Sequence, residues 1–139
     1  MTVALIAMAL LSPPSDTTTG WASAYAPGVM EGVVDYRFEQ NWWRNSPPDY
    51  WRAAVGYVAT TDCAQVGRLI HARPVDAPVW SLLLVADCGG RGEYGLDWML
   101  RNNIIAELDA ATFDRWTASY GRPLKIEIRG ETQYDQLSH

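Results

Sequence analysis

The apolar run Val79-Trp80-Ser81-Leu82-Leu83-Leu84-Val85-Ala86 ends at an acid, a thiol and two glycines, Asp87-Cys88-Gly89-Gly90. It is too short to cross a bilayer, and its Val and Leu content reads as a strand buried on both faces. Asp87 therefore falls where a core strand meets solvent. A carboxylate there is either ionised or shielded enough to hold a proton at neutral pH, the property of a general acid. The same position also suits a carboxylate that only caps the following turn. The residues alone leave both readings open.

The cysteines, Cys63 and Cys88, number two and stand at the ends of two apolar segments. A bridge between them would close a loop of about 25 residues and stabilise the fold by about 3 to 4 kcal/mol on a chain-entropy argument. A bridge suits an exported protein. The alternative is a pair of reduced, buried thiols in a cytosolic one. Two cysteines with a distant His71 lack the spacing of a metal site, and no cofactor is expected. The loop Cys88 to Gly95 is rich in glycine, but no Lys-Ser/Thr follows it and no clear helix opens there. It does not read as a phosphate cradle; its glycines are expected to let backbone pass close to another segment.

At 139 residues the chain is the size of one domain with a sizeable core. The net charge of -5 and the absence of a Lys/Arg run exclude the electrostatic footprint of a nucleic-acid partner. Seven Trp and seven Tyr exceed what such a core usually takes, so rings are expected at the surface, where flat sugars stack well.

Several elements must position these residues. The apolar stretch Val3 to Leu11 is too short for a membrane span but sufficient for the apolar region of a signal peptide, although no Lys or Arg precedes it. Residues 1–19 are expected to be this signal-like segment and a polar linker, residues 20–130 the domain, and residues 131–139 a polar tail. Gly20 to Ala26 reads as a first strand ended by Pro27-Gly28. Val29 to Arg52 shows no sustained period and is expected to be a long aromatic-rich loop with a helical turn near Glu39 to Arg44. Within it, Trp42 and Trp43 either close one end of the core or stack on a ligand. Strands follow at Ala53 to Thr60 and Gly67 to Arg73, where the alternation places His71 on the face of Leu69. Ile104 to Leu108 is a further strand, and Asp109 caps a helix from Ala110 to about Ser119 that buries Phe113 and Trp116. Gly121 and Pro123 stop that helix, and Pro123 to Arg129 alternates as the last strand.

Four segments together resemble the RlpA-like lipoproteins and the related barwin, expansin and family-45 endoglucanase domains. They are Ala22-Ser23-Ala24-Tyr25-Ala26-Pro27-Gly28 with Glu31-Gly32, Cys63 to Arg68, Val85-Ala86-Asp87-Cys88-Gly89-Gly90, and Ile104 to Phe113 with Gly121 to Ile128. The resemblance implies an all-β fold, a six-stranded double-psi β-barrel with one short helix and the long aromatic-rich loop. It implies an exported protein, secreted or held in the cell envelope, whose partner is a polysaccharide, either peptidoglycan or a β-glucan. By position Asp87 matches the family's catalytic aspartate, a general acid/base at the mouth of a groove, and is expected to protonate the glycosidic oxygen. Where RlpA-type enzymes place a partner histidine this chain has Thr61 and Asp62, so Asp62 is expected to orient Asp87. Glu31 replaces the opening histidine. An inverting hydrolase needs a second carboxylate, for which Asp62, Glu31 and Glu93 are the candidates, whereas a transglycosylase can work with one. Trp42, Trp43 and Tyr94 are the expected sugar-stacking rings. The same resemblance also covers barrels that bind glycans without cleaving them, and barrels that serve as structural or interaction modules.

Overall fold

The strand alternation read from the sequence closes into a ring. A computed structural model of the chain describes residues 17–39, 52–90 and 92–131. Its strands are β1 (Thr17–Ala24), β2 (Gly56–Thr60), β3 (Leu69–Pro74), β4 (Ser81–Cys88), β5 (Ile104–Leu108) and β6 (Leu124–Glu131). They form a closed barrel in the order β1-β5-β2-β4-β3-β6. Two neighbouring pairs, β1 with β5 and β2 with β4, run parallel. The other four pairs are antiparallel.

Period-2 alternation decides what enters the barrel. Leu124, Ile126 and Ile128 point inward from β6 and meet Ile70 and Ala72 of β3, Val58 of β2, and Ala106 and Leu108 of β5. Strand β4 is buried on both faces, as its unbroken apolar run requires: Leu83, Leu84, Val85 and Ala86 are all fully buried. Leu83 and Val85 belong to the barrel interior, whereas Ala86 packs outside it with Ala59, Met30 and Val34.

Three α-helices lie among the described residues: α1 (Val29–Glu39), α2 (Leu96–Arg101) and α3 (Ala110–Tyr120). This corrects the expectation of one short helix. Only α3 was legible, through its Asp109 cap, its buried Trp116 and the positive-φ Gly121 that ends it. The first part of the expected loop, Val29 to Glu39, is helical. Its docking face is Met30, Val34 and Arg37, at spacings of four and three residues. Val29 and Tyr36 remain exposed, so apolar residues surround the helix and hide the period. Trp42, Trp43 and most of the helical turn expected near Glu39 to Arg44 lie outside the described residues, as do the signal-like stretch and most of the polar tail. β1 starts at Thr17, three residues inside the expected linker, and β6 reaches Glu131. No helix among the described residues is long and apolar enough to cross a membrane.

Cys63 and Cys88 form a disulfide, with their Cα atoms 5.0 Å apart. It fastens the 3-10 turn Cys63–Gln65 to the end of β4, beside the backbone bond from Gly89 N to Thr60 O at 2.9 Å. Gly89 is also a point of close approach, because a Cβ there would come within 2.9 Å of Leu96 Cα. Replacing both cysteines by serine is expected to lower the free energy of unfolding by about 3.5 kcal/mol. Urea titrations of the oxidised protein and the double variant measure this, and a difference below about 1 kcal/mol would contradict it.

Candidate functional site

Asp87 owes its position to an irregularity in the sheet. Along β2, Val58 pairs with Val85 but the next residue, Ala59, pairs with Asp87, so Ala86 is the extra residue of a bulge. Bulges re-aim side chains next to functional sites. Here the bulge sets Asp87, rather than Ala86, opposite Ala59.

The Asp87 carboxylate is half-buried, and both of its oxygens accept hydrogen bonds. Tyr25 Oη donates to Oδ2 at 2.8 Å. The Arg37 guanidinium of α1 donates to Oδ1 at 2.6 Å, in an ion pair whose side chains are 11% and 23% exposed. With a donor on each oxygen, Asp87 is held as the acceptor and the anion of the pair. Burial, and then the hydrogen bond to Asp87, push the Tyr25 hydroxyl well above its ordinary range, so Tyr25 is a proton-bearing donor.

Glu107 of β5 is a second acid in the same neighbourhood. Ala59 pairs with Asp87 on one side and with Glu107 on the other, and Ser23 pairs with Glu107 across β1. One row of the sheet therefore reads Ser23, Glu107, Ala59, Asp87. Burial raises the Glu107 carboxyl above its ordinary range, the Asp87 charge raises it further, and Ser23 draws it back. That last contact is loose, because Ser23 Oγ is buried and meets strict hydrogen-bond geometry with none of the described residues.

Two clefts open at this row. The first, of about 420 Å³, is walled by Tyr25, Val29, Tyr94, Trp98 and Glu107 among others. The second, of about 390 Å³, exposes Asp87 and Arg37 beside Tyr36. Val29 lies in the wall of both. The exposed Tyr94 ring, in the loop before α2, meets Trp98 of α2 edge to face at 5.2 Å, which builds an aromatic rim at the start of that helix.

The structure thus brings together Asp87, on the second cleft, and Tyr94, on the first, about the Tyr25 hydrogen bond. Asp62 is exposed and turned to its own 3-10 turn, where it accepts from Ala64 N at 2.9 Å. The groups that orient Asp87 are Tyr25 and Arg37. Of the other acids considered, Glu31 lies exposed in the first turn of α1 and Glu93 is exposed in the glycine-rich loop; neither lines the two clefts. His71 lies on the face opposite the inward Ile70 and Ala72, away from this row, and its pKa is lowered by burial and by the Arg129 charge.

Sequence reasoning missed Tyr25, Arg37, Trp98 and Glu107 as site residues. Glu107 carried a signal: a lone acid inside the apolar strand Ile104 to Leu108 is a half-buried charge that needs explanation. Arg37 carried none, since α1 itself was not visible. A scan against protein-family models finds no match to this chain, and a search of the curated proteins finds none either.

The raised Glu107 carboxyl has a consequence for stability. Its folded pKa lies above its unfolded one, so its contribution is fully present below the ordinary carboxylate range and is lost as pH rises through the folded value. Glu107→Gln is therefore expected to melt higher than the natural protein near pH 8, with the gap shrinking towards pH 4. Melting temperatures across this range check the sign, and a gap that widens in acid would contradict it.

Proposed function

We propose that the chain is an exported double-psi β-barrel of the RlpA-like and barwin-like kind that acts on a β-linked cell-wall polysaccharide. Its reaction is lytic transglycosylation or glucan hydrolysis, centred on Asp87. One observation carries the reading: a half-buried carboxylate at the end of a core strand opens on one cleft beside Tyr36 and is hydrogen-bonded to Tyr25, which with Tyr94 and Trp98 walls the adjoining one. The two parallel strand pairs within the closed ring support the double-psi reading. The disulfide supports export.

Asp87 enters this reaction as an anion, because Tyr25 and Arg37 occupy its oxygens. Fixed in that form, it stabilises the positive charge that develops at the anomeric carbon and is placed to accept a proton from the attacking hydroxyl or water. The proton delivered to the leaving oxygen then has to come from another group. This differs from the general-acid role that its place at the strand end suggested.

Incubation of the purified protein with peptidoglycan and with cellulose tests the reading. Soluble fragments are expected from one of them, with 1,6-anhydro ends for a transglycosylase and new reducing ends for a hydrolase. A second reading, non-catalytic glycan binding, is favoured by how fully Tyr25 and Arg37 engage Asp87. Retention on the insoluble glycan with no soluble product would select it. Neither retention nor product on either glycan would overturn both.

A further inference from the structure

Glu107 stands in the row that holds Asp87, on the far side of Ala59. Two strand spacings separate them, about 10 Å between Cα atoms. Inverting glycosidases hold their two carboxyl groups about 6.5 to 9.5 Å apart, and side chains leaning from these two positions can meet that range. Tyr25 connects the two: its hydroxyl donates to Asp87, and its ring walls the cleft that Glu107 lines. The aromatic rim of Tyr94 and Trp98 belongs to the same cleft.

We propose that Glu107 is the proton donor of the reaction, serving the glycosidic oxygen from the first cleft while Asp87, on the second cleft across Tyr25, faces the anomeric carbon as the anion. The inference rests on the polysaccharide reading and assigns the proton which that reading leaves without a source. In hydrolysis the C1–O bond breaks as the Glu107 proton passes to the leaving oxygen. The oxygen of water bonds to C1, and its proton passes to Asp87. In transglycosylation the sugar's own 6-hydroxyl takes the place of water and gives its proton to Asp87. Exchange with solvent then restores both carboxyls.

The surroundings suit the donor form. Asp87 faces Glu107 from β4 and Ser23 faces it from β1, while Tyr25 feels the charges of Asp87, Glu107 and Arg37 together. Arg37 belongs to α1 and is bound to Asp87 rather than to Glu107. Tyr94, from the loop before α2, completes the cleft. Burial and the Asp87 charge both favour the protonated carboxyl, as a general acid working near neutral pH requires.

The test compares the natural protein, Glu107→Gln and Glu107→Asp on the glycan that the natural protein cleaves, and follows the Glu107 carboxyl by 13C NMR from pH 3 to 9. Glu107→Gln is expected to lose at least about 100-fold in kcat/KM on the polymer. It should also lose the alkaline limb of the pH profile, and Glu107→Asp should restore part of the activity. The carboxyl resonance should titrate above the ordinary glutamate range and move down in Asp87→Asn. A Glu107→Gln protein that keeps more than a third of the activity would overturn the inference and leave the polysaccharide reading standing, as would a Glu107 carboxyl that titrates like a free glutamate. A natural protein that cleaves neither glycan would overturn both.

Discussion

Replacing Asp109 by alanine is expected to lower the free energy of unfolding by about 3 kcal/mol, well beyond the roughly 1 kcal/mol typical of a lost helix cap. Asp109 is 4% exposed. Its Oδ2 accepts from Thr112 N at 3.2 Å, which is the N-terminal cap of α3. Its Oδ1 accepts from Thr112 Oγ1 at 2.7 Å and from Tyr57 N at 2.8 Å. One carboxylate thereby joins the first turn of α3 to the start of β2, where the backbone bond from Asp109 N to Tyr57 O also closes. Alanine would leave the fully buried Thr112 hydroxyl and the Tyr57 N–H without this acceptor, and no side chain of similar shape fills the gap. The packing there has no slack, since a Cβ on Gly56 would collide with the Thr112 and Asp109 side chains. Asp109→Asn, which keeps an acceptor oxygen, should cost about 1 kcal/mol. Urea unfolding of the three proteins checks the order, and a loss below about 1 kcal/mol for alanine would show that the helix cap alone matters.

Asp87→Asn is expected to reduce product release from the susceptible glycan by at least about 100-fold while the barrel stays folded. Asparagine keeps the acceptor oxygen for one neighbour but removes the charge that faces the anomeric carbon. It also removes the charge that the Arg37 guanidinium, 11% exposed, pairs with at 2.6 Å. Removing one partner of a half-buried pair costs about 1 to 3 kcal/mol, so the variant should melt lower yet remain native at 25 °C. Far-UV circular dichroism and the initial rate of fragment release separate the two effects. Sugar release that persists undiminished in a folded Asp87→Asn protein would remove Asp87 from the mechanism.

The strands were largely legible because burial imposes alternation or unbroken apolar runs on them, whereas their closure into a barrel was expected only from the family resemblance. Leu124, Ile126 and Ile128 announced β6, and the unbroken run through Leu83 to Ala86 announced a strand covered on both faces. The Asp109 cap and Gly121 bracketed α3 with equal clarity. Helices α1 and α2 were missed for different reasons. Around α1 the apolar residues do not keep to one side, and Gly32 sits mid-helix; only contact with Ala59 and Ala86 selects Met30 and Val34 as the buried pair. The six residues of α2 are too few to display a period, and Gly95, its cap, makes no side-chain hydrogen bond.

The site was half legible. Asp87 stood out because an acid ending an apolar run is a boundary in one dimension. Its companions are neighbours only in three: Tyr25 is 62 residues away and Arg37 is 50. The bulge that turns Asp87 towards them, with Ala86 as its extra residue, leaves no mark in the order of the amino acids. Asp62 was expected beside Asp87 only because it stands where RlpA-type enzymes place a partner histidine; its carboxylate caps the turn that follows.

The central claim is that a glycan lies along the clefts at Asp87. A 15N-resolved NMR titration of the Asp87→Asn protein with soluble cello-oligosaccharides and peptidoglycan fragments tests it most directly. Saturable shifts are expected at Tyr25, Val29, Tyr94, Trp98 and Glu107 with one of the two ligands. Shifts centred instead on Trp80, whose ring Arg73 and Arg129 both approach outside these clefts, or none with either ligand, would contradict it.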